Sequence, residues 1–203
     1  MKKLNRKGFT LIELLAVITI MGILMLVAIP AVSRTIENSR RDTFMDTAKS
    51  YMNAIKNAVA ADELYYVPTG TTDSSPISAA PAGYYYYGFD SSNNTGTDLM
   101  EQGGRSSWGN AHVKGYVAIH KTVTEGTEGR TKYEYAVRMI DAAKRGITAL
   151  TPENQLKRSS VKTTSGVDGV TAPANTDNDK FGETGEKLNS TGTSANCTAL
   201  SIG

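Results

Sequence analysis

Twenty consecutive uncharged residues, 14–33, follow a short head that carries Lys2, Lys3, Arg6 and Lys7. As a helix, a run of that length crosses the roughly 30 Å hydrocarbon layer of a bilayer, for which about 20 residues are needed. Leu, Ile, Val, Met and Ala occur all the way round it with no polar stripe. The segment therefore suits lipid or other apolar helices, not one side of a small soluble core. The cations before it mark the cytoplasmic side, because an excess of Lys and Arg beside a spanning segment stays inside. Between Phe9 and Val32 the one charged residue is Glu13. An acid near the centre of a spanning helix costs about 2.5–3.5 kcal/mol, and less near the interface, so Glu13 needs a reason.

Three ordinary explanations fail to supply one. A secretory signal peptide has an apolar core of roughly 7–15 residues and a small-x-small cleavage site; this run is longer, and residues 28–31 around Pro30 form only a feeble site. A plain signal anchor accounts for the length but not for Glu13. A lipoprotein needs a cysteine just after the apolar run, and the sole cysteine is Cys197.

The junction itself reads Lys-Gly-Phe-Thr-Leu-Ile-Glu-Leu-Leu at 7–15, ahead of an apolar stretch ending near Pro30. It closely resembles the processing and assembly segment of type IV pilins, the class III signal peptide. The likeness is tight over residues 1–34, general in pattern to about residue 63, and one of layout beyond. It implies an α+β fold in which a long N-terminal helix, half hydrophobic and half amphipathic, lies on a small antiparallel β-sheet head. It also implies that a membrane aspartic peptidase cuts between Gly8 and Phe9, that the new Phe9 amine is N-methylated, and that the apolar helix stays in the mature protein. The corresponding layout is a cleaved leader at 1–8, a transmembrane and assembly helix at 9–33, an amphipathic continuation at 34–66 and a loop-rich β head at 67–203. The implied partners are copies of the chain in a helical filament, prepilin peptidase and, indirectly, an assembly ATPase and inner-membrane platform proteins. The membrane holds the subunit before assembly.

Within that resemblance Glu13 acquires a role. If apolar helices leave the bilayer and stack, its carboxylate can pair with the Phe9 amine of a neighbour, and the positive end of the helix dipole favours it there. Such a pair adds little net stability after desolvation. A misplaced subunit, however, would bury unpaired charges at a cost of about 3–5 kcal/mol, so the pair sets register.

Pro30 removes one backbone donor and crowds the carbonyl four residues earlier, which predicts a kink or loosened turn, helped by Gly22. The helical pattern then resumes. Ile36, Phe44, Ala48, Tyr51, Met52, Ile55 and Val59 recur at steps of three, four or eight, opposite Arg34, Glu37, Arg40, Arg41, Asp42, Asp46, Lys49 and Lys56. This predicts an amphipathic helix reaching about Glu63, closed by Val67, Pro68, Thr69 and Gly70.

Beyond it the composition turns to Gly, Ser, Thr, Asn, Tyr and Pro. Residues 68–111 read mostly as a long loop, with Tyr84, Tyr85, Tyr86, Tyr87 and Phe89 as an aromatic anchor that suits a core better than a binding surface. Residues 115–123 and 132–140 alternate as strands around a Gly- and charge-rich turn, predicting an antiparallel hairpin. Residues 141–150 form either a short helix or a turn back to the sheet. In the last fifty residues the apolar positions are sparse, and short strands joined by long loops are favoured over a solvent-facing tail.

With 203 residues there is room for a rod and one modest domain. Without the leader's four cations, 18 Lys and Arg face 20 Asp and Glu, so no general nucleic-acid binder is indicated, and Arg34, Arg40 and Arg41 read as interface charges. One cysteine, Cys197, closes no disulfide within the chain, unlike many Gram-negative pilins and more like those of single-membrane bacteria. Asp177, Asn178 and Asp179 begin like a calcium loop, but Phe181 and Leu188 stand where oxygen ligands belong, so no metal is assigned. Asn93, Asn189 and Asn196 open N-x-S/T triplets that this composition yields by chance. His112 and His120 are about 26 Å apart on an extended strand, and no motif of a hydrolase, metalloprotease or phosphate loop is present. No enzyme and no cofactor are expected. The leading reading is a pilus subunit for adhesion or motility; the alternatives are a pseudopilin of a type II secretion or DNA-uptake system and a monomeric membrane-anchored binding module.

Overall fold

A computed structural model describes residues 9–66, 72–92, 104–109, 111–124 and 129–163, with the backbone of 180–181, 186–187 and 198–202. The chain forms two compact units, Met1–Ser39 and Arg40–Gly203. One helix, α1 (Leu11–Ala60), contributes to both. It passes through Pro30 without a break, so the proline does not end it.

In the first unit the apolar run is helical and every residue from 9 to 36 is exposed. In the second, α1 buries Phe44, Ala48, Tyr51, Met52, Ile55, Ala58 and Val59, a stripe at steps of three and four that fits one helix face. Ile36, expected on that stripe, is exposed; it falls in the first unit. The helix stops at Ala60, short of Glu63. Asp62 adopts φ 56°, the Asp62 amide donates to the Val59 carbonyl and the Glu63 amide to the Ala58 carbonyl. That pair of bonds is a Schellman closure, made here with Asp at the left-handed position usually taken by Gly. Residues 64–66 are therefore strand, not the end of the amphipathic helix.

The sheet comprises β1 (Leu64–Tyr66), β2 (Ser75–Pro76), β3 (Gly83–Asp90), β4 (Val113–Thr124), β5 (Arg130–Asp141), β6 (Gly146–Pro152), β7 (Val161–Lys162) and β10 (Thr198–Ile202). Its order is β2-β1-β10-β3-β4-β5-β6-β7, and each described pairing is antiparallel except β10 with β3. A separate two-stranded ribbon joins β8 (Lys180–Phe181) to β9 (Glu186–Lys187). The expected hairpin is present, from Val113↔Asp141 to Thr124↔Arg130. Within 68–111, expected to be mostly a long loop, residues 83–90 are instead a strand that pairs along its whole length with β4. Aromatic side chains fit a pleated, half-buried surface, and the Tyr run is a strand for that reason.

Alternation divides its side chains between two faces. Tyr85, Tyr87 and Phe89 join Val117, Ile119, Val137 and Met139 against α1, where Tyr51 meets Phe89 edge-on with ring centroids 4.2 Å apart. Tyr84 and Tyr86 lie with Tyr116, Ala118, Ala136 and Ile140 in a second cluster. Residues 141–150 settle as a turn followed by β6. Asp141, fully buried, accepts hydrogen bonds from the Arg145 amide and Nε, both at 2.9 Å, and from Ser106 Oγ at 3.0 Å. The Arg145 guanidinium also lies over the Trp108 ring at 5.2 Å. After Pro152, two 3₁₀ turns, Glu153–Gln155 and Arg158–Ser160, lead into β7. They are held to α1 by a Lys56–Glu153 ion pair and by two 2.6 Å bonds from Arg158 to Asp42.

Candidate functional site in the N-terminal segment

Thr10 is the N-cap of α1. The Glu13 amide donates to Thr10 Oγ1 at 3.3 Å, and the Thr10 amide donates to Glu13 Oε2 at 2.9 Å. That reciprocity is a capping box, which satisfies donors that a helix start otherwise leaves open. The Thr10 hydroxyl adds a third bond to the same Oε2 at 2.7 Å. The carboxylate is thus solvated by its own helix end, and its position near the positive pole of the helix favours the charge.

Thr10 was not singled out by its sequence, although Thr-x-x-Glu ahead of an apolar run is the signature of such a box. Phe9, with 83% of its surface exposed, begins the described chain just before the cap. Gly8 lies outside the described residues. Gly22 faces open space, since a Cβ built there meets nothing within 4 Å. Pro30 lies within the helix. Leu11, Leu26 and Val27 are more than 70% exposed, and this helix is long and apolar enough to cross a membrane.

Elsewhere the candidates do not gather. His112 bridges Arg105 at the start of β4, whereas His120 stacks on Tyr84 with ring centroids 4.3 Å apart and contacts Glu134 Oε2 at 3.3 Å. Among the described residues no three His, Cys, Asp or Glu side chains group as a metal site would require. The 177–183 segment as a ligand set, Cys197, Asn93, Asn189 and Asn196 lie outside the described residues. Arg41 Nη2 reaches Thr163 Oγ1 at 3.3 Å, and the Arg40 carbonyl accepts a bond from Ser107 Oγ.

Residues 3–29 match the family model described as the prokaryotic N-terminal methylation motif. This is the class III signal peptide of type IV pilins. The long helix with its small, mainly antiparallel sheet is the α+β layout found in type IV pilins. The motif marks a pilin-like or pseudopilin substrate of prepilin peptidase, a structural class of protein, and the apolar helix fits single-pass anchoring before assembly. No curated protein and no solved structure matches the chain.

Proposed function

We propose that the chain is a structural subunit of a type IV pilus, cut between Gly8 and Phe9, N-methylated on Phe9 and polymerised through its N-terminal helix into a surface filament. The observation that carries this reading is the methylation motif at 3–29 leading directly into an apolar helix whose residues are exposed all round. In the bilayer, lipid covers that surface; in a filament, copies of the same helix cover it. Removing the leader does not touch the cap, because Thr10 and Glu13 both follow the cut. Glu13 can therefore travel from lipid to filament with hydrogen bonds in place, and exchange or share them with a neighbour's Phe9 amine on arrival. Gly22 and Pro30 are the positions where the helix would bend or loosen on packing.

The membrane peptidase, the assembly ATPase and the inner-membrane platform are the machinery this reading requires. A pseudopilin of a secretion or DNA-uptake machine shares the motif and forms the second reading. Electron microscopy of sheared surface fibres, with mass spectrometry of the N-terminal peptide, separates the cases. Long fibres beginning at methylated Phe9 support the pilus subunit. Processed chains without long fibres indicate the pseudopilin, and an uncut Met1 chain in cells that possess the peptidase would leave only an anchored module. Glu13→Ala should insert and be processed normally yet yield few or no filaments; wild-type yield would remove the register role.

A further inference from the structure

β5 is longer than the strand on one of its sides. β4 pairs with it from Asp141 to Arg130, whereas β6 reaches only Ala136, opposite Pro152. Pro152 has no N–H to extend the ladder, and the 3₁₀ turn after it departs to α1, where Glu153 meets Lys56. Residues 130–135 therefore keep, on that side, backbone donors and acceptors that no strand among the described residues takes up. Arg130, Thr131 and Lys132 are exposed, and Tyr133, Glu134 and Tyr135 are half-buried. The edge is also held in place. Tyr133 and Tyr135 pack against the core beside α1, and the Lys121 and Lys56 ammonium groups lie 5.9 and 5.5 Å from their ring centres.

Charges on an open edge ordinarily deter pairing. Here their order reverses that effect, because Thr-Lys-Tyr-Glu-Tyr at 131–135 is complementary to itself when turned round. In an antiparallel pair about a two-fold axis at Tyr133, Lys132 falls opposite the second copy's Glu134, Thr131 opposite its Tyr135, and Tyr133 opposite itself. Directly opposite residues share a face with Cβ atoms about 4.5–5.5 Å apart, where opposite charges, aromatic pairs and aromatic–β-branched pairs all stabilise. All five positions lie within the open stretch, so no bond to β6 has to break. Moving the axis to Lys132 would set two lysines face to face. Within one chain Lys132 donates to Glu134 at 2.8 Å along the strand, and their side chains stay 68% and 43% exposed. Each charge is thus accessible to a second opposite one across the axis.

We propose that the open edge of β5 pairs with the same edge of a second copy in this register, making one continuous sheet across two heads. Such a contact is isologous and two-fold. Any two subunits of one helical filament are related by a rotation with a rise, which a two-fold axis cannot reproduce, so the contact joins subunits of different filaments. On the pilus reading, on which this consequence alone rests, β5 pairing gathers filaments into bundles.

Sedimentation of the full mature chain in density-matched detergent micelles tests the pairing without any filament. A dimer is expected. Lys132→Glu and Glu134→Lys should each weaken it by about tenfold or more, because two cross-strand attractions become two repulsions, while the melting temperature stays close to that of the parent. An equal mixture of the two variants should recover the dimer, since every charge then faces its opposite again. In electron micrographs of sheared fibres the parent should bundle, and either variant alone should give separate fibres of normal length. A parent chain that stays monomeric up to about 1 mM, on the order of the effective concentration of tethered neighbours, a dimer indifferent to both reversals, or variants that do not pair on mixing would each overturn the assignment. Bundles unchanged in both variants would overturn its consequence for filaments. An absence of fibres would remove the pilus reading, while the micelle result still decides the pairing.

Discussion

Lys121 is 98% buried, and nothing in the strand pattern of 115–123 sets it apart from its neighbours. Its ammonium donates to the carbonyls of Ile77, Ser78 and Ala80 at 3.0, 2.6 and 2.6 Å, and lies 5.9 Å from the centre of the Tyr133 ring. A buried charge survives only if its donors are used, and here all three are. The bonds tie the 3₁₀ turn at Ile77–Ala79 to the sheet. Lys121→Met keeps the stem but leaves three carbonyls unmet, each at about 1–3 kcal/mol if water cannot reach it. A drop of several kcal/mol in head stability by denaturant titration is the expected outcome; less than about 1 kcal/mol would mean the turn rearranges freely. Three carboxylates give a second test. The Arg158 bonds lower the pKa of Asp42, and the Lys132 bond, with a smaller share from His120, lowers that of Glu134; burial raises that of Asp90, but its bonds from the Ser92 hydroxyl and amide, with the nearby Lys114 and His112, outweigh this and lower it. Unfolded, these groups titrate near their ordinary values of 3.8 and 4.5. Below that range the unfolded chain binds more protons than the folded one. Their contribution is thus complete above about pH 4.5 and disappears as pH falls through the lower folded values. The melting temperature should be level from pH 5 to 7 and fall below 4.5, and Asp42→Asn should fall less steeply; identical slopes would show that the Asp42–Arg158 pair contributes nothing.

At the scale of elements, α1 and the β4–β5 hairpin could be read from the sequence because each shows a long, regular period. β3 could not, since four consecutive tyrosines hide the alternation that separates Tyr85 and Tyr87 from Tyr84 and Tyr86. The end of α1 was misplaced for a related reason: an Asp, not a Gly, occupies the left-handed closing position, and the residues after it are as apolar as those before. Glu13 was recognised while its cap partner Thr10 was not, because a pattern spanning only four residues is easily absorbed into a longer one. Two glycines explain features that periodicity cannot express. A Cβ on Gly115 would come within 2.0 Å of the Arg138 carbonyl oxygen of β5, and one on Gly146 would come within 2.6 Å of Phe44 Cζ, at φ 136°. Gly115→Ala should therefore force the hairpin apart and lower the melting temperature by roughly 5 °C or more in a domain this size, where about 1 kcal/mol shifts it by ~2–8 °C. Phe44→Ala, which empties the space between Trp108 and the β5–β6 turn, should cost about 3–5 kcal/mol.

At the scale of the whole molecule, the sheet draws its middle from distant parts of the chain. β10 lies between β1 and β3, pairing Leu64 with Ile202 on one side and Tyr85 with Thr198 on the other. Nothing in residues 198–202 announces this, since so short a run, Thr-Ala-Leu-Ser-Ile, could equally lie on an edge. Deleting 198–203 should leave α1 helical but remove the cooperative melt of the head, as followed by near-UV circular dichroism. A head that still melts cooperatively would show that β1 and β3 can pair without it. The arrangement also bears on the order of events at the membrane. A sheet that needs residue 202 to join positions 64 and 85 cannot close while the chain is still being threaded across the bilayer. In the pilus subunit proposed above, the head would therefore be exported as an open polypeptide, and the finished fold itself would then act as the barrier to sliding back.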